Sequence, residues 1–203
     1  MVELATVPAG LPHAGLVGLV VFWALFSVWL GGEAWLQVRR DLPAEAPSFD
    51  LGSKNLIGTS VWVAAGAGLA ASFLLPGLAL GSGEELFLGV GLGLMLAGLI
   101  VRWWAVAKLG SAFTVTVGIQ ESQELLASGP YRLVRHPSYT GSLLTIIGIA
   151  LCCANWLALL ALLLPFTAYA YRIRVEEQAL WARFGDDYLA YRSRTTRLVP
   201  WLF

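Results

Sequence analysis

Residues 139–171 read YTGSLLTIIGIALCCANWLALLALLLPFTAYAY and contain no charged side chain. One membrane crossing by a helix takes roughly 20 mostly apolar residues, so this run is too long for a single span. Asn155 interrupts it near its middle, and the stretch reads as a hairpin of two shorter spans. Three largely apolar stretches precede it, at 15–36, 55–75 and 86–107. Each is long enough for one crossing, which brings the expected number to about five.

Five crossings place all thirteen Lys and Arg residues in one compartment. Arg39, Arg40 and Lys54 fall between the first and second spans. Arg102, in the last turns of the third, and Lys108, Arg132 and Arg135 beyond it come next, and Arg172, Arg174, Arg183, Arg192, Arg194 and Arg197 follow the fifth. The loop at 76–85 carries Glu84 and Glu85 and no cation. The positive-inside rule makes the cationic side the cytoplasm, with the N-terminus outside and the C-terminus inside. The first span resembles a signal peptide only superficially. It lacks a basic n-region and ends in Arg39 and Arg40 rather than at a small-residue cleavage site, so it is read as retained.

Composition agrees with an all-α polytopic membrane protein of a single domain, 1–203. Hydrophobic residues make up 58% and charged residues 13% of the chain, against about 25% charged in ordinary soluble domains. Net charge is zero and the cations are scattered, so no nucleic-acid partner is expected. Cys152 and Cys153 are adjacent, which excludes an ordinary disulfide between them, and neither has a His or Cys partner at metal-ligand spacing. They read as small apolar filler, and no metal is expected. Gly89, Gly91 and Gly93, with Ala97 beyond, lie inside an apolar span. A dinucleotide fingerprint needs a strand before it and a helix after it, so no Rossmann fold is implied. Small residues four apart instead let membrane helices approach closely, and Gly58, Gly66, Gly98 and Gly148 are expected to serve the same purpose.

Chemistry concentrates in two segments at the cationic side. The first, 108–138, reads KLGSAFTVTVGIQESQELLASGPYRLVRHPS, longer than the connections that compact domains normally use. Its apolar residues argue against disorder. Alternation at 114–117 suggests a short extended piece, and 121–127 a helical turn or two before Gly129 and Pro130 stop it. Pro137 suits the first position of the fourth span, where its missing N–H is harmless, which makes His136 the N-cap. The amides of Ser138, Tyr139 and Thr140 would then face the mouth of the bundle and favour an anionic group such as a carboxylate. The plainer reading is that Arg135 and His136 simply flank a helix entering the membrane.

The second segment, 167–203, begins as the last span ends: TAYAYRIRVEEQALWARFGDDYLAYRSRTTRLVPWLF. Arg172 and Glu176, four apart, share one helical face, and Glu177 lies about 100° further round. A solvated salt bridge would use the same spacing. The tail, with Phe184, Tyr188, Tyr191, Leu198, Val199, Trp201 and Phe203, is too apolar to hang free and should fold back over this region or onto the membrane.

Together the two segments resemble one family. SGPYRLVRHPSYTG at 128–141 is similar to the GPYxxVRHPxYxG signature of the isoprenylcysteine carboxyl methyltransferases. Arg172, Glu176 and Glu177 followed by FGDDYLAY at 184–191 are similar to its second signature, paired glutamates and FGxxYxxY. Gln123, Glu124, Leu125 and Leu126 match in position, although many members carry His where this chain has Gln123. The resemblance covers 109–203 strongly and 1–108, the three-helix part, only in architecture. It implies a membrane-integral methyltransferase using S-adenosyl-L-methionine at the cytoplasmic face, beneath a C-terminal helix and cap. Carried over, the cofactor-binding residues are Gln123, Glu124, Leu125, Leu126, Tyr131, His136, Pro137, Ser138, Tyr139 and Glu176. Arg172 is the substrate-binding residue, and Arg172 and Glu176 form the catalytic pair.

The implied partner is a lipophilic, prenylcysteine-like carboxylate entering from the bilayer among membrane lipids. The host membrane could be an inner, plasma or endoplasmic-reticulum-like one. Methylating an ionised carboxylate needs alignment and water exclusion rather than a base. Other readings stand beside it: a phospholipid-amine or small-thiol methyltransferase, a nicotinamide-dependent membrane reductase, or a non-enzymatic scaffold.

Overall fold

Asn155 breaks the apolar run by capping one helix and pinning the end of another. Its extended backbone (φ −136°, ψ 136°) precedes a helix, and its side-chain oxygen accepts the Leu157 amide at 2.9 Å. Its side-chain nitrogen donates to the carbonyls of Ala71 and Leu75 at 3.2 and 3.1 Å. One amide thus caps the first turn of one helix and adds a second hydrogen bond to carbonyls at the end of another, tying the two ends together in an apolar setting.

A computed structural model describes residue 11 and residues 14–39, 49–81, 83–116 and 125–200. Six α-helices make up most of it: α1 (Leu16–Arg39), α2 (Ser53–Leu74), α3 (Glu84–Leu109), α4 (Pro137–Cys152), α5 (Trp156–Ala161) and α6 (Leu163–Arg192). Among the described residues there is no strand ladder, only isolated bridges between Ala79 and Asn155 and between Val134 and Thr196. Of the short extended piece expected at 114–117, residues 114–116 form no strand and residue 117 lies outside the described residues; the Thr114 hydroxyl donates to the Thr116 carbonyl at 2.8 Å. Of the helical turn expected at 121–127, residues 121–124 lie outside the described residues, and 125–127 are not helical.

Leu16–Arg39, Ser53–Leu74, Glu84–Ala112 and Trp156–Arg192 are long and apolar enough to cross a membrane, and Pro137–Cys152 is a shorter apolar helix. Their outer surfaces carry exposed Leu16, Val20, Trp62, Phe73, Ile100 and Leu160, while Arg102, Arg135, Arg172 and Glu177 are buried. Apolar surface outside and paired charge inside suits an integral membrane protein, since lipid accepts the first and only internal partners can satisfy the second.

α3 and α4 form the tightest crossing, and glycines make it possible. A Cβ on Gly98 would stand 2.4 Å from the Thr145 hydroxyl, and one on Gly141 would stand 2.5 Å from the Arg102 backbone nitrogen. Gly91 and Gly148 meet each other's backbone in the same way. The expectation for Gly98 and Gly148 therefore holds, but that for Gly58, Gly66, Gly89 and Gly93 does not, because among the described residues a Cβ on any of these four would meet nothing within 4 Å. Spacing marks a small-residue face but not whether a partner covers it. Cys152 and Cys153 are buried; the Cys152 sulfur stands 2.6 Å from where a Cβ on Gly91 would be, and the Cys153 sulfur packs 3.5 Å from the same position on Gly68, as expected of apolar filler.

The helices run alternately between two ends. At one, Leu80 donates its amide to the Ala154 carbonyl at 2.9 Å, joining the α2–α3 and α4–α5 connections. At the other, the end of α1 (Gln37), the start of α2 (Lys54), the end of α3 (Leu109) and the start of α4 (His136) surround one cavity.

Gly141→Ala should lower the stability of the purified protein by about 1–3 kcal/mol, because the added methyl has only backbone to displace. Gly93→Ala should change it by less than about 0.5 kcal/mol. Thermal unfolding in detergent compares the two.

Candidate active site

Pro137 opens α4 and His136 is its N-cap residue (φ −123°, ψ 57°), as the sequence predicts. The amides do not all remain open. Those of Tyr139 and Thr140 both donate to the His136 carbonyl, at 3.0 and 3.1 Å. Of the expected anion-binding trio only the Ser138 amide is left without such a bond among the described residues, so the helix start is a weaker anion site than the spacing suggested. Arg102 reaches the same turn from α3, donating to the Ser138 hydroxyl at 2.8 Å.

Side chains on this first turn meet α6. The rings of His136 and Tyr139 stack with centroids 5.4 Å apart and planes 6° from parallel. The Tyr139 hydroxyl donates to Glu176 Oε2 at 2.7 Å and accepts from Arg172 Nε at 3.1 Å. Arg172 and Glu176 are therefore linked through Tyr139 rather than by a direct ion pair. His136 Nδ1 lies 3.4 Å from Glu176 Oε2, and its Nε2 lies 3.6 Å from Glu177 Oε1. Burial alone pushes the His136 imidazole down, but the two carboxylates outweigh it and hold the group above its ordinary value.

Helical angle alone makes Glu177 the lesser of the two glutamates, because it points elsewhere on the helix. It is in fact the hub of the fold-back. Arg135 Nε donates to it at 2.9 Å and Arg197 Nη2 at 2.9 Å. The tail is then laced to the approach to α4: the Arg135 amide donates to the Thr196 carbonyl at 2.8 Å and the His136 amide to the Arg197 carbonyl at 3.0 Å. The Thr140 hydroxyl donates to the Leu198 carbonyl at 2.6 Å, and the Tyr191 hydroxyl to the Tyr131 carbonyl at 2.7 Å. The apolar tail does fold back; Trp201 and Phe203 lie outside the described residues.

Part of this network borders a cavity of about 330 Å³, at the small end of ligand-pocket sizes, which run to roughly 1,000 Å³. Leu125, Leu126, Tyr131, His136, Ser138, Tyr139, Arg172 and Glu176 all face it. Pro137 is buried at the helix start and does not line it, and Gln123 and Glu124 lie outside the described residues. The far wall is apolar, with Trp29, Leu30, Ile57, Gly58, Val61 and Trp62 from α1 and α2. The rings of Trp29 and Trp62 meet there at 5.8 Å.

Sequence reasoning missed Asp50, Ser53, Glu33 and Arg102. Arg172 Nη1 donates to Ser53 Oγ at 2.8 Å and is ion-paired with Asp50, while Nη2 donates to the Val115 carbonyl at 2.6 Å. Arg102 Nη2 donates to Glu33 Oε2 at 2.6 Å. A lone Glu33 and Arg102 inside apolar spans were the available signal, since charges there are costly unless paired. Nothing in the spacing linked Asp50 to Arg172.

The fold and site define an all-helical membrane protein with a charged cavity at one end and an apolar wall beside it. The Phospholipid methyltransferase family matches residues 86–187, just over half of the chain, and the chain belongs to that family. Within it, the likeness to the isoprenylcysteine carboxyl methyltransferases drawn from the two motifs holds. The chain is 32% identical over 115 residues to protein-S-isoprenylcysteine O-methyltransferase B of Arabidopsis thaliana, covering 55% of this chain and 58% of that protein. It is 31% identical over 112 residues to the protein-S-isoprenylcysteine O-methyltransferase of Schizosaccharomyces pombe, covering 54% and 48%. The solved structure of the eukaryotic intramembrane Ras methyltransferase ICMT (isoprenylcysteine carboxyl methyltransferase) superposes with a TM-score of 0.56 at 25% identity, over 75% of this chain and 53% of that one. The matched stretch thus spans only about half to three fifths of these relatives.

A histidine whose folded value is raised stabilises the fold fully below its ordinary value of 6.5. That contribution is lost as pH rises through the higher folded value. Stability should therefore fall as pH is raised through and above the ordinary histidine range. His136→Gln should flatten that fall, as read by thermal unfolding across the pH series.

Proposed function

We propose that this protein transfers a methyl group from S-adenosyl-L-methionine to the carboxylate of a lipophilic, prenylcysteine-like acceptor at the membrane–cytoplasm interface. The observation that carries the proposal is the chain Arg172–Tyr139–Glu176, set in a cavity whose other wall is apolar. A cation faces the acceptor, a carboxylate faces the donor, and a phenol fixes the distance between them.

The residues fit the methyl donor. Leu125, Leu126 and Phe184 offer apolar contact for a purine. Glu176 has Oε2 engaged and no bond at Oε1 among the described residues, so it can face a cationic group. His136, Ser138 and Tyr139 line the same side, and Gln123 and Glu124 are assigned there on the family pattern. When bound, the donor supplies an electrophilic methyl group on sulfur.

The protein's task is then to orient an acceptor and keep water away. An α-carboxylate has a reference pKa of about 3.5, so it is ionised without help. The placement of His136 favours this acceptor over an amine or thiol: both ring nitrogens face carboxylates of the protein, Nδ1 beside Glu176 and Nε2 beside Glu177, so the ring is poorly placed to take a proton from an acceptor. Arg172 is 4% exposed and presents its guanidinium to the acceptor, and the wall formed by Trp29, Trp62 and Gly58 can receive an apolar chain. The membrane reading that accompanies the proposal has five crossings, the N-terminus outside and this cavity on the cytoplasmic side. Arg39, Lys54, Lys108 and Arg135 all lie at the cavity end of their segments, which supports that orientation.

Radiolabelled methyl transfer should proceed to a farnesylated N-acetylcysteine and not to its carboxamide. Arg172→Ala should lower the rate at least a hundredfold, roughly the scale of lost alignment, with little change in S-adenosylhomocysteine affinity by titration calorimetry. Glu176→Gln should weaken both. Transfer to phosphatidylethanolamine or a small thiol in place of the carboxylate would assign another acceptor, and binding of NADPH alone would remove the methyltransferase reading. Independently, single cysteines at 76–85 should be labelled from outside in intact cells, and cysteines at 49–54 only after permeabilisation; the reverse pattern would invert the orientation.

A further inference from the structure

Arg172 is already held on every edge of its guanidinium. Nε donates to the Tyr139 hydroxyl at 3.1 Å. Nη1 donates to Ser53 Oγ at 2.8 Å and to Asp50 Oδ1, and Nη2 donates to the Val115 carbonyl at 2.6 Å. A guanidinium has five N–H donors. Four are engaged among the described residues, which leaves one, on Nη2.

Asp50 is not a loose counter-ion. Its Oδ2 accepts the Lys54 amide at 3.0 Å, its Oδ1 accepts the Ser53 hydroxyl at 3.0 Å, and its carbonyl accepts the Ser53 amide at 2.8 Å. All three donors belong to the first turn of α2, where a negative charge also suits the helix dipole. Ser53 is fully buried. Moving this carboxylate would leave the buried Ser53 hydroxyl and the Lys54 amide without their acceptor, so it is fixed relative to α2 rather than poised to swing away.

We infer that Asp50, together with Ser53, is a positioning residue that locks the orientation of Arg172 and leaves it a single N–H for the acceptor. The inference deepens the reading of Arg172 as the acceptor-side residue and rests on it. A two-pronged grip of the fork on a carboxylate is thereby excluded: one prong is committed to α2 and only the Val115 side remains. The acceptor anion is then met by one hydrogen bond of fixed direction. Releasing Arg172 from Asp50 would free more donors while losing their direction. Acceptor binding should survive, and productive alignment should not.

The test is steady-state kinetics on purified Asp50→Asn, Asp50→Glu and Ser53→Ala with the farnesylated carboxylate acceptor, alongside ¹⁵N NMR of arginine side chains in detergent. Asp50→Asn should lower kcat roughly tenfold to a hundredfold, the cost of misplacement, without raising the acceptor KM and without changing S-adenosylhomocysteine affinity. Asp50→Glu should recover part of the rate. Ser53→Ala should show a smaller loss of the same kind, and it serves as the readout if Asp50→Asn does not fold. In the NMR arm, the Arg172 Nη signals, identified by their loss in Arg172→Lys, should be separately resolved in the native protein. They should merge in Asp50→Asn as rotation is freed. An unchanged or faster kcat in Asp50→Asn, or a slower one with the Arg172 signals unaltered, overturns the inference. If the native protein methylates no carboxylate acceptor, the proposed reaction fails, and the NMR arm alone then decides whether Asp50 holds Arg172.

Discussion

Glu177 is a carboxylate buried among cations, and the cavity depends on it. Arg135 and Arg197 both reach it, and His136 lies beside it. These partners come from the approach to α4 and from the tail, while Glu177 itself sits on α6. A buried ion pair adds little stability over a well-packed apolar pair, but losing one partner costs about 3–5 kcal/mol. The arrangement therefore acts less as glue than as registration: it fixes which residues of three segments lie opposite one another. With that register set, Tyr139 stands within reach of Glu176 and Arg172, and the tail covers the start of α4.

The second constraint is steric. Gly98 and Gly141 let α3 and α4 approach until a methyl group would not fit between them. That closeness brings Arg102 under the first turn of α4, where it holds Ser138 and pairs with Glu33 of α1. Backbone contact between two helices thus delivers a charge to the cavity wall. The same charge draws in α1, which otherwise offers lipid a largely apolar surface.

Much of this was legible in the residues. Apolar run lengths and the single polar break at Asn155 gave the helices and their hairpin, because lipid leaves a helix few alternatives. Pro137 marked the start of α4 for the equally local reason that its ring fits a first helical position. His136, Tyr139, Arg172 and Glu176 could be named because they sit in motifs, and they do converge. What stayed hidden was pairing across the chain. Asp50 lies 122 positions before Arg172 and Glu33 lies 69 before Arg102, and no periodicity connects them. The glycines failed in a related way: Gly93 and Gly98 look alike in sequence, and only the packing of α4 against one face distinguishes them. The weight of Glu177 was hidden because helical angle says where a side chain points, not what the rest of the chain brings to meet it.

The pairing has a chemical consequence. Around the cavity the arginines and His136 lie against anions of the protein: Arg172 with Asp50, Arg102 with Glu33, Arg135 and Arg197 with Glu177, and His136 with Glu176. The proposed reaction consumes one positive and one negative charge and leaves an ester and a thioether, both neutral at the reacting atoms. Charge therefore fades toward the transition state, and a group that held either reactant's full charge strongly would stabilise the starting state more than the transition state. Such binding slows the chemical step. A cavity whose arginines are already paired, and whose wall on one side is formed by apolar residues of α1 and α2, avoids that penalty and still supplies direction through Arg172 and Tyr139. The low polarity of its surroundings works the same way, since the mutual attraction of the two reactants is screened least where water is absent.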